Sequence, residues 1–169
     1  MNATPHVTTA ALLLGAALAA ATPASAALPI GLDVSAGGGA RKGAEGSPSF
    51  DIRVGADLRL GVLTLGGEFR DQPPWLRSDD PLNYSMGYFN LGVNIPLPKG
   101  RIALRAGIGG GKAGGVEDMF GFHESAGLHI FPKGPLGFGF AIDFDQTFRG
   151  EQFEPRHGVA GNGLLLLRI

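Results

Sequence analysis

Residues 49 to 60 alternate strictly between two kinds of side chain: Phe50, Ile52, Val54, Ala56, Leu58 and Leu60 on one parity, Ser49, Asp51, Arg53, Gly55, Asp57 and Arg59 on the other. Successive side chains of a strand point to opposite faces, so this segment is a ribbon with one apolar and one charged face. The same alternation predicts strands near residues 29–37, 63–71, 84–95, 101–110, 119–131, 136–147 and 159–169, eight in all. The apolar sets include Ile30, Leu32 and Val34; Leu63, Leu65 and Phe69; Phe89, Leu91, Val93 and Ile95; Ile102, Leu104, Ala106 and Ile108; and Phe120, Phe122, Leu128 and Ile130. Leu136, Phe138, Phe140, Ile142 and Phe144 form the most lipid-like face. Four charges of one strand facing a sandwich core would be costly unless each were paired. A barrel in lipid reverses the layout, with apolar side chains outward and polar ones in the lumen. The expected fold is therefore all-β: an eight-stranded antiparallel up-and-down transmembrane β-barrel. The alternative, a soluble periplasmic barrel that binds an apolar ligand, would crowd the Leu136–Phe144 set into a narrow lumen with seven other apolar faces.

The connections alternate in length. Those after the first, third, fifth and seventh strands are long and polar, including 38–48 and 72–83, whereas Gly61-Val62, 96–100 and 132–135 are short. Short periplasmic turns and longer external loops are what an outer-membrane barrel requires when its amino terminus is periplasmic. The inward parity carries Arg53, Arg59, Arg70, Arg101, Arg105 and Arg168 against Asp33, Asp51, Asp57, Glu68, Asp143 and Asp145. Arginine's planar fork binds carboxylates bidentately, so the expected interior is a neutral salt-bridge plug rather than an open pore. Inward Gly55, Gly66, Gly92, Gly107, Gly137 and Gly139 leave room for those side chains in a barrel just wide enough to be filled. Lys42, Lys99, Lys112 and Lys133 all fall in expected turns or loops.

Ala10 to Ala21 is a short apolar run ending in Ala24-Ser25-Ala26, which reads as a secretory signal with an A-x-A cleavage site. Residues 1–26 are thus expected to be removed, leaving residues 27–169 as one barrel domain. The run is too short to span a bilayer as a helix. The chain contains no cysteine, which excludes disulfides, thiolate metal sites and lipobox acylation. A formal net charge of −1 gives no nucleic-acid footprint. No cofactor and no metal site is expected.

With eight ribbons, alternating loops and an export signal, the chain resembles the small eight-stranded outer-membrane barrels of the OmpX and OmpA-transmembrane type. The resemblance implies a place in the bacterial outer membrane, contact with outer-membrane lipid, and insertion by the barrel-assembly machinery. Such barrels commonly end in an aromatic residue on a strand of alternating apolar residues. Here Leu165, Leu167 and Ile169 alternate, the last residue is Ile, and Leu164 and Leu166 make the inward side apolar too.

Three stretches suggest chemistry. Gly109 to Gly114 satisfies G-x-G-x-x-G, but the residues after it open a loop and a strand, not the helix that dinucleotide binding needs. Phe122-His123-Glu124-Ser125 is similar to the H-x-S motif of outer-membrane lipid A deacylases, which implies His123 as base and Ser125 as nucleophile. The family's acid has no counterpart, because Pro135, Leu136 and Gly137 stand where it would lie, and the asparagine after the serine is Ala126. A lumen hydrogen-bonding pair is the plainer account of His123 and Ser125, and a lumen hydrogen bond that of His129. Glu124 shares the outward face with Phe122 and Ala126, which requires a higher strand position, a pair of bulges or a contact. Trp75, Tyr84, Tyr88, Phe148 and Phe153 are expected at outer strand ends or in external loops, where aromatic residues favour the interface. The expected role is structural or surface-interacting through external loops, with a loop ligand that cannot be read, and non-catalytic. The enzyme and a conducting pore are the rivals.

Overall fold

The computed structural model describes residues 30–43, 49–72, 84–113, 117–149 and 154–169. Eight strands, β1 (Ile30–Gly43), β2 (Ser49–Leu60), β3 (Leu63–Asp71), β4 (Tyr84–Leu97), β5 (Gly100–Ala113), β6 (Glu117–Ile130), β7 (Leu136–Arg149) and β8 (Glu154–Arg168), follow one another around a closed antiparallel barrel. The expected signal at 1–26 lies outside the described residues, as do Trp75 and Phe153. Among the described residues no helix is long and apolar enough to cross a membrane.

The seam between β1 and β8 is completed by reciprocal bonds: Leu32 N–H to Ile169 O at 2.9 Å and Ile169 N–H to Leu32 O at 2.7 Å. Closure leaves no sheet edge with unpaired amides, the condition for a β-structure in hydrocarbon. Two short turns need the left-handed backbone that glycine adopts without strain, at Gly61 (φ 64°) and Gly134 (φ 73°).

The register fixes the geometry. Stepping across paired residues from Asp33 to Asp57, Gly66, Asn90, Gly107, His123, Asp145 and Gly158 returns to β1 at Gly43. The circuit gains 43 − 33 = 10 residues, a shear of ten for eight strands. With ordinary strand spacings this gives a tilt of about 41°, a radius of about 8 Å and an axial rise of about 2.5 Å per residue.

The alternating residues divide between wall and lumen as their parity dictates. Phe89, Phe138, Phe140, Phe144, Leu136 and Leu165 are all more than half exposed, whereas Asp51, Arg53, Arg70, Asp143 and Asn162 are fully buried. A monomer in water does not expose so continuous an apolar surface. Val93 is the exception on the outer face: it is buried between its neighbours Leu63 and Leu104.

The structure corrects several expectations. β1 continues through Gly43 instead of ending at Gly37, which puts Arg41 in the lumen. β8 begins at Glu154, five residues before the expected start. Lys42 and Lys112 occupy strand ends rather than loops, and Lys112 pairs with Asp118 at 3.3 Å on the surface. Tyr88 is buried inside the barrel and not part of an interface belt, because Phe89 takes the outward parity. The β5–β6 and β6–β7 ladders are unbroken through Glu124, so no bulge turns it inward.

Candidate functional site

The lumen is the one place where the fold gathers the residues singled out by their chemistry. The shear sorts their Cα atoms by height, because each step around the barrel lifts the ladder by about 3 Å. Two tiers result. The lower, at the end bearing the short turns, holds Asp33, Asp57, Arg59, Arg101, Arg105 and Arg168. The upper holds Arg41, Asp51, Arg53, Glu68, Arg70, Asp143 and Asp145.

In the upper tier, Arg70 is the hub. Its guanidinium meets Asp143 Oδ1 at 3.1 Å, Asp145 Oδ1 at 3.1 Å and Glu68 Oε1. Arg53 bridges Asp143 Oδ2 at 2.8 Å and Glu68 Oε2 at 3.0 Å, and Arg41 reaches Asp145 Oδ2 at 3.4 Å. Asn162 donates to Asp143 Oδ2 at 2.5 Å. Asp51 is fully buried, and neither of its carboxylate oxygens has a hydrogen-bond partner.

In the lower tier Asp33 is shared by three guanidiniums, from Arg101 (2.6 Å), Arg59 (3.1 Å) and Arg168 (3.9 Å), while Arg105 pairs with Asp57. Arg101 Nε also donates to His129 Nδ1 at 3.2 Å. Phe131, Leu164, Leu166 and Ala141 make a small apolar cluster at this end, with the Arg168 guanidinium 3.8 Å from the Phe131 ring centroid. Met86, Tyr88 and Met119 make its counterpart at the other end. Ion-paired side chains thus line the interior between the two apolar clusters.

His123 and Ser125 stand two residues apart on β6, both facing the lumen and both buried. The imidazole is fully engaged. Nδ1 faces Arg70 Nη2 at 3.1 Å, Nε2 faces Asn90 Oδ1 at 2.7 Å, and Tyr88 packs edge-on at 4.6 Å between centroids. Ser125 stands beside Asp143, its partner across the β6–β7 ladder. A serine nucleophile needs a base within hydrogen-bond reach, and neither nitrogen of His123 is turned to Ser125. The H-x-S spacing thus yields an engaged lumen histidine and a buried serine that do not act on one another. Residues 109–113 of the glycine run are strand, so the G-x-G-x-x-G pattern has no helix behind it. Among the described residues no group of three or more His, Asp or Glu could hold a metal ion.

Arg41, Asn90, Asn94 and Asn162 join the lumen without having been singled out in the sequence. Their parity was available for three of them: Arg41, Asn90 and Asn94 each share the inward register with a glycine two positions away, whereas Asn162 lies between Ala160 and Leu164. What hid them is chemistry, since asparagine and glycine-flanked arginine also mark turns.

A closed eight-stranded antiparallel barrel with an apolar exterior and an ion-paired interior is a transmembrane β-barrel of the small outer-membrane type. Among solved structures the chain is similar in fold to the crystal structure of Neisserial surface protein A (NspA), with a TM-score of 0.58 and 8% sequence identity over 82% of this chain and 96% of that one. No protein-family model and no curated protein matches the sequence.

Proposed function

We propose that the chain is a non-catalytic outer-membrane protein whose barrel anchors external loops for a structural or surface-interaction role. The observation that carries this reading is the inversion of the ordinary protein plan: the large apolar side chains cover the outer wall while arginines and carboxylates fill the interior. The fold likeness to NspA supports the same architecture. Residues 1–26 act as the cleaved signal, and the barrel-assembly machinery inserts the remainder. Membrane lipid contacts the band from Ile30 and Leu97 up to Phe50. The ligand of the loops is a surface molecule met outside the cell.

Expression of the full chain followed by fractionation tests this. The protein should remain with the outer membrane after carbonate washing and begin at Ala27 by mass spectrometry. Trypsin added to intact cells should cut at Arg77, in the segment between β3 and β4. Recovery in the soluble periplasmic fraction would overturn the membrane assignment, and protection of Arg77 on intact cells would overturn the loop orientation.

A further inference from the structure

The lower tier is not electrically balanced. Arg59, Asn94, Arg101 and Arg168 lie on four different strands, yet the shear brings their Cα atoms within about 3 Å of one height. Three guanidiniums gather on a single carboxylate, Asp33, and the Asn94 amide stands at the same height on β4. Both Asp33 oxygens are already engaged, Oδ1 by Arg59 and Arg168 and Oδ2 by Arg101. Donors are left over. Arg101 Nη2 and Asn94 Nδ2 are buried without a hydrogen-bond partner on side chains more than nine-tenths buried, and Arg168 Nε, 3.9 Å from Asp33 Oδ1, is too far away to donate to it; the Asn94 amide oxygen, an acceptor, is unpartnered too.

Among the described residues nothing else supplies the missing anion. The one lumen carboxylate among them without a hydrogen-bond partner on either oxygen, Asp51, lies about 20 Å higher along the axis. Residues 1–29 contain no Asp or Glu, and the neighbouring short turns add Lys99 and Lys133. A terminal carboxylate at Ile169 would still leave one guanidinium in excess. Buried charge and buried donors without partners are costly, so a bound counterion lowers the energy of this end of the barrel.

We propose that this cluster is a binding site for a phosphate group, held by the free edges of Arg101 and Arg168 and by the Asn94 amide at the short-turn mouth. Guanidinium forks match tetrahedral oxyanions as they match carboxylates, which favours phosphate over a halide. The mouth is reached by solvent, since the Arg168 side chain is 36% and that of Arg59 19% exposed. The phosphate belongs either to the free ion or to a lipid headgroup at the membrane surface.

The test uses the full folded barrel in a maltoside detergent free of phosphate, titrated with sodium phosphate at constant ionic strength and followed by calorimetry and by the thermal unfolding midpoint. Saturable one-to-one binding that raises the midpoint is expected. Arg168→Gln, at the rim, should weaken it roughly tenfold through loss of a charge-assisted bond. Asn94→Asp, which builds a carboxylate into the cluster, should abolish it. Lys133→Gln, on the adjacent turn but outside the cluster, should leave it unchanged. A second arm compares nanodiscs of phosphatidylglycerol with nanodiscs of a phosphate-free glycolipid. A phosphate effect seen only in the glycolipid discs identifies the headgroup as the natural source, and one seen in both identifies the free ion. Absence of saturable binding overturns the proposal, as does binding that ignores Arg168→Gln or falls equally in Lys133→Gln.

Discussion

Replacing Glu124 by leucine should stabilise the barrel in a bilayer. Glu124 points outward from β6 with Phe120 and Phe122 on one side along the strand and Ala126, Leu128 and Ile130 on the other. Across the ladders it faces Ala106 and Phe144. The shear puts it about 13 Å above Asp33, whereas the apolar band runs from about 8 Å below Asp33 to about 21 Å above it, so the carboxyl sits about 6 Å from the band's centre. Basic residues at the midplane of such barrels cost about 2–4 kcal/mol, and acidic ones less and decreasingly with depth. A penalty of about 1–2 kcal/mol follows, to which leucine adds lipid-facing methylenes, for a gain of about 2 kcal/mol in Glu124→Leu. Equilibrium unfolding in urea from phosphatidylcholine vesicles, read by the gel mobility of the folded form, measures it. The converse change in the same column, Leu128→Glu, should cost about the same amount. If Glu124→Leu destabilised the barrel while Leu128→Glu also did so, the carboxylate would be held by a partner. If both changes were neutral, the band would not face lipid at all.

Three further outcomes can be measured. Arg70→Met removes the cation shared by Glu68, Asp143 and Asp145 and should cost about 3–5 kcal/mol, because it leaves these three carboxylates and Asp51 to share only Arg41 and Arg53; a loss below about 1 kcal/mol would show that water solvates the upper tier. Asp51→Asn removes a buried charge that accepts no hydrogen bond, and unfolding should show it neutral or more stable by about 1 kcal/mol. Ser125→Ala should leave the lipid A acylation pattern of expressing cells unchanged, since no base is turned to the hydroxyl; an altered acylation pattern would revive the hydrolase.

The eight strands and their facing were legible because lipid imposes a demand at every second residue. A polar outward residue inside the band is penalised, so the alternation from Phe50 to Leu60 or from Leu136 to Phe144 survives in the sequence without noise. The outer ends of β1 and β8 were not legible. The start of β8 lies above the band, where the wall need not be apolar, and in β1 the outward residues Gly38 and Ala40 are small, so Gly38-Gly-Ala-Arg-Lys-Gly43 reads as a loop although its amides continue the ladder. Tyr88 was misplaced where its residue type was weighed above its parity.

The pairing of the lumen charges is illegible for a different reason. Parity says that Arg53 and Asp143 both face inward, but their contact joins residues 90 apart in sequence. Whether they meet depends on relative height, and height accumulates around the barrel through the shear. A slip of two residues at one ladder would leave every side chain on its own face and satisfy the lipid equally well. It would also shift all strands beyond that ladder by about 5 Å along the axis, more than the length of a hydrogen bond. Arg70 would then lose one or more of its three carboxylates, and Arg59, Arg101 and Arg168 would no longer share Asp33. The outward residues therefore specify that a barrel forms, while the inward ion pairs select the shear at which it closes, so a charge swap at the one-to-one pair, Arg105→Asp with Asp57→Arg, should preserve the register that either single change puts at risk.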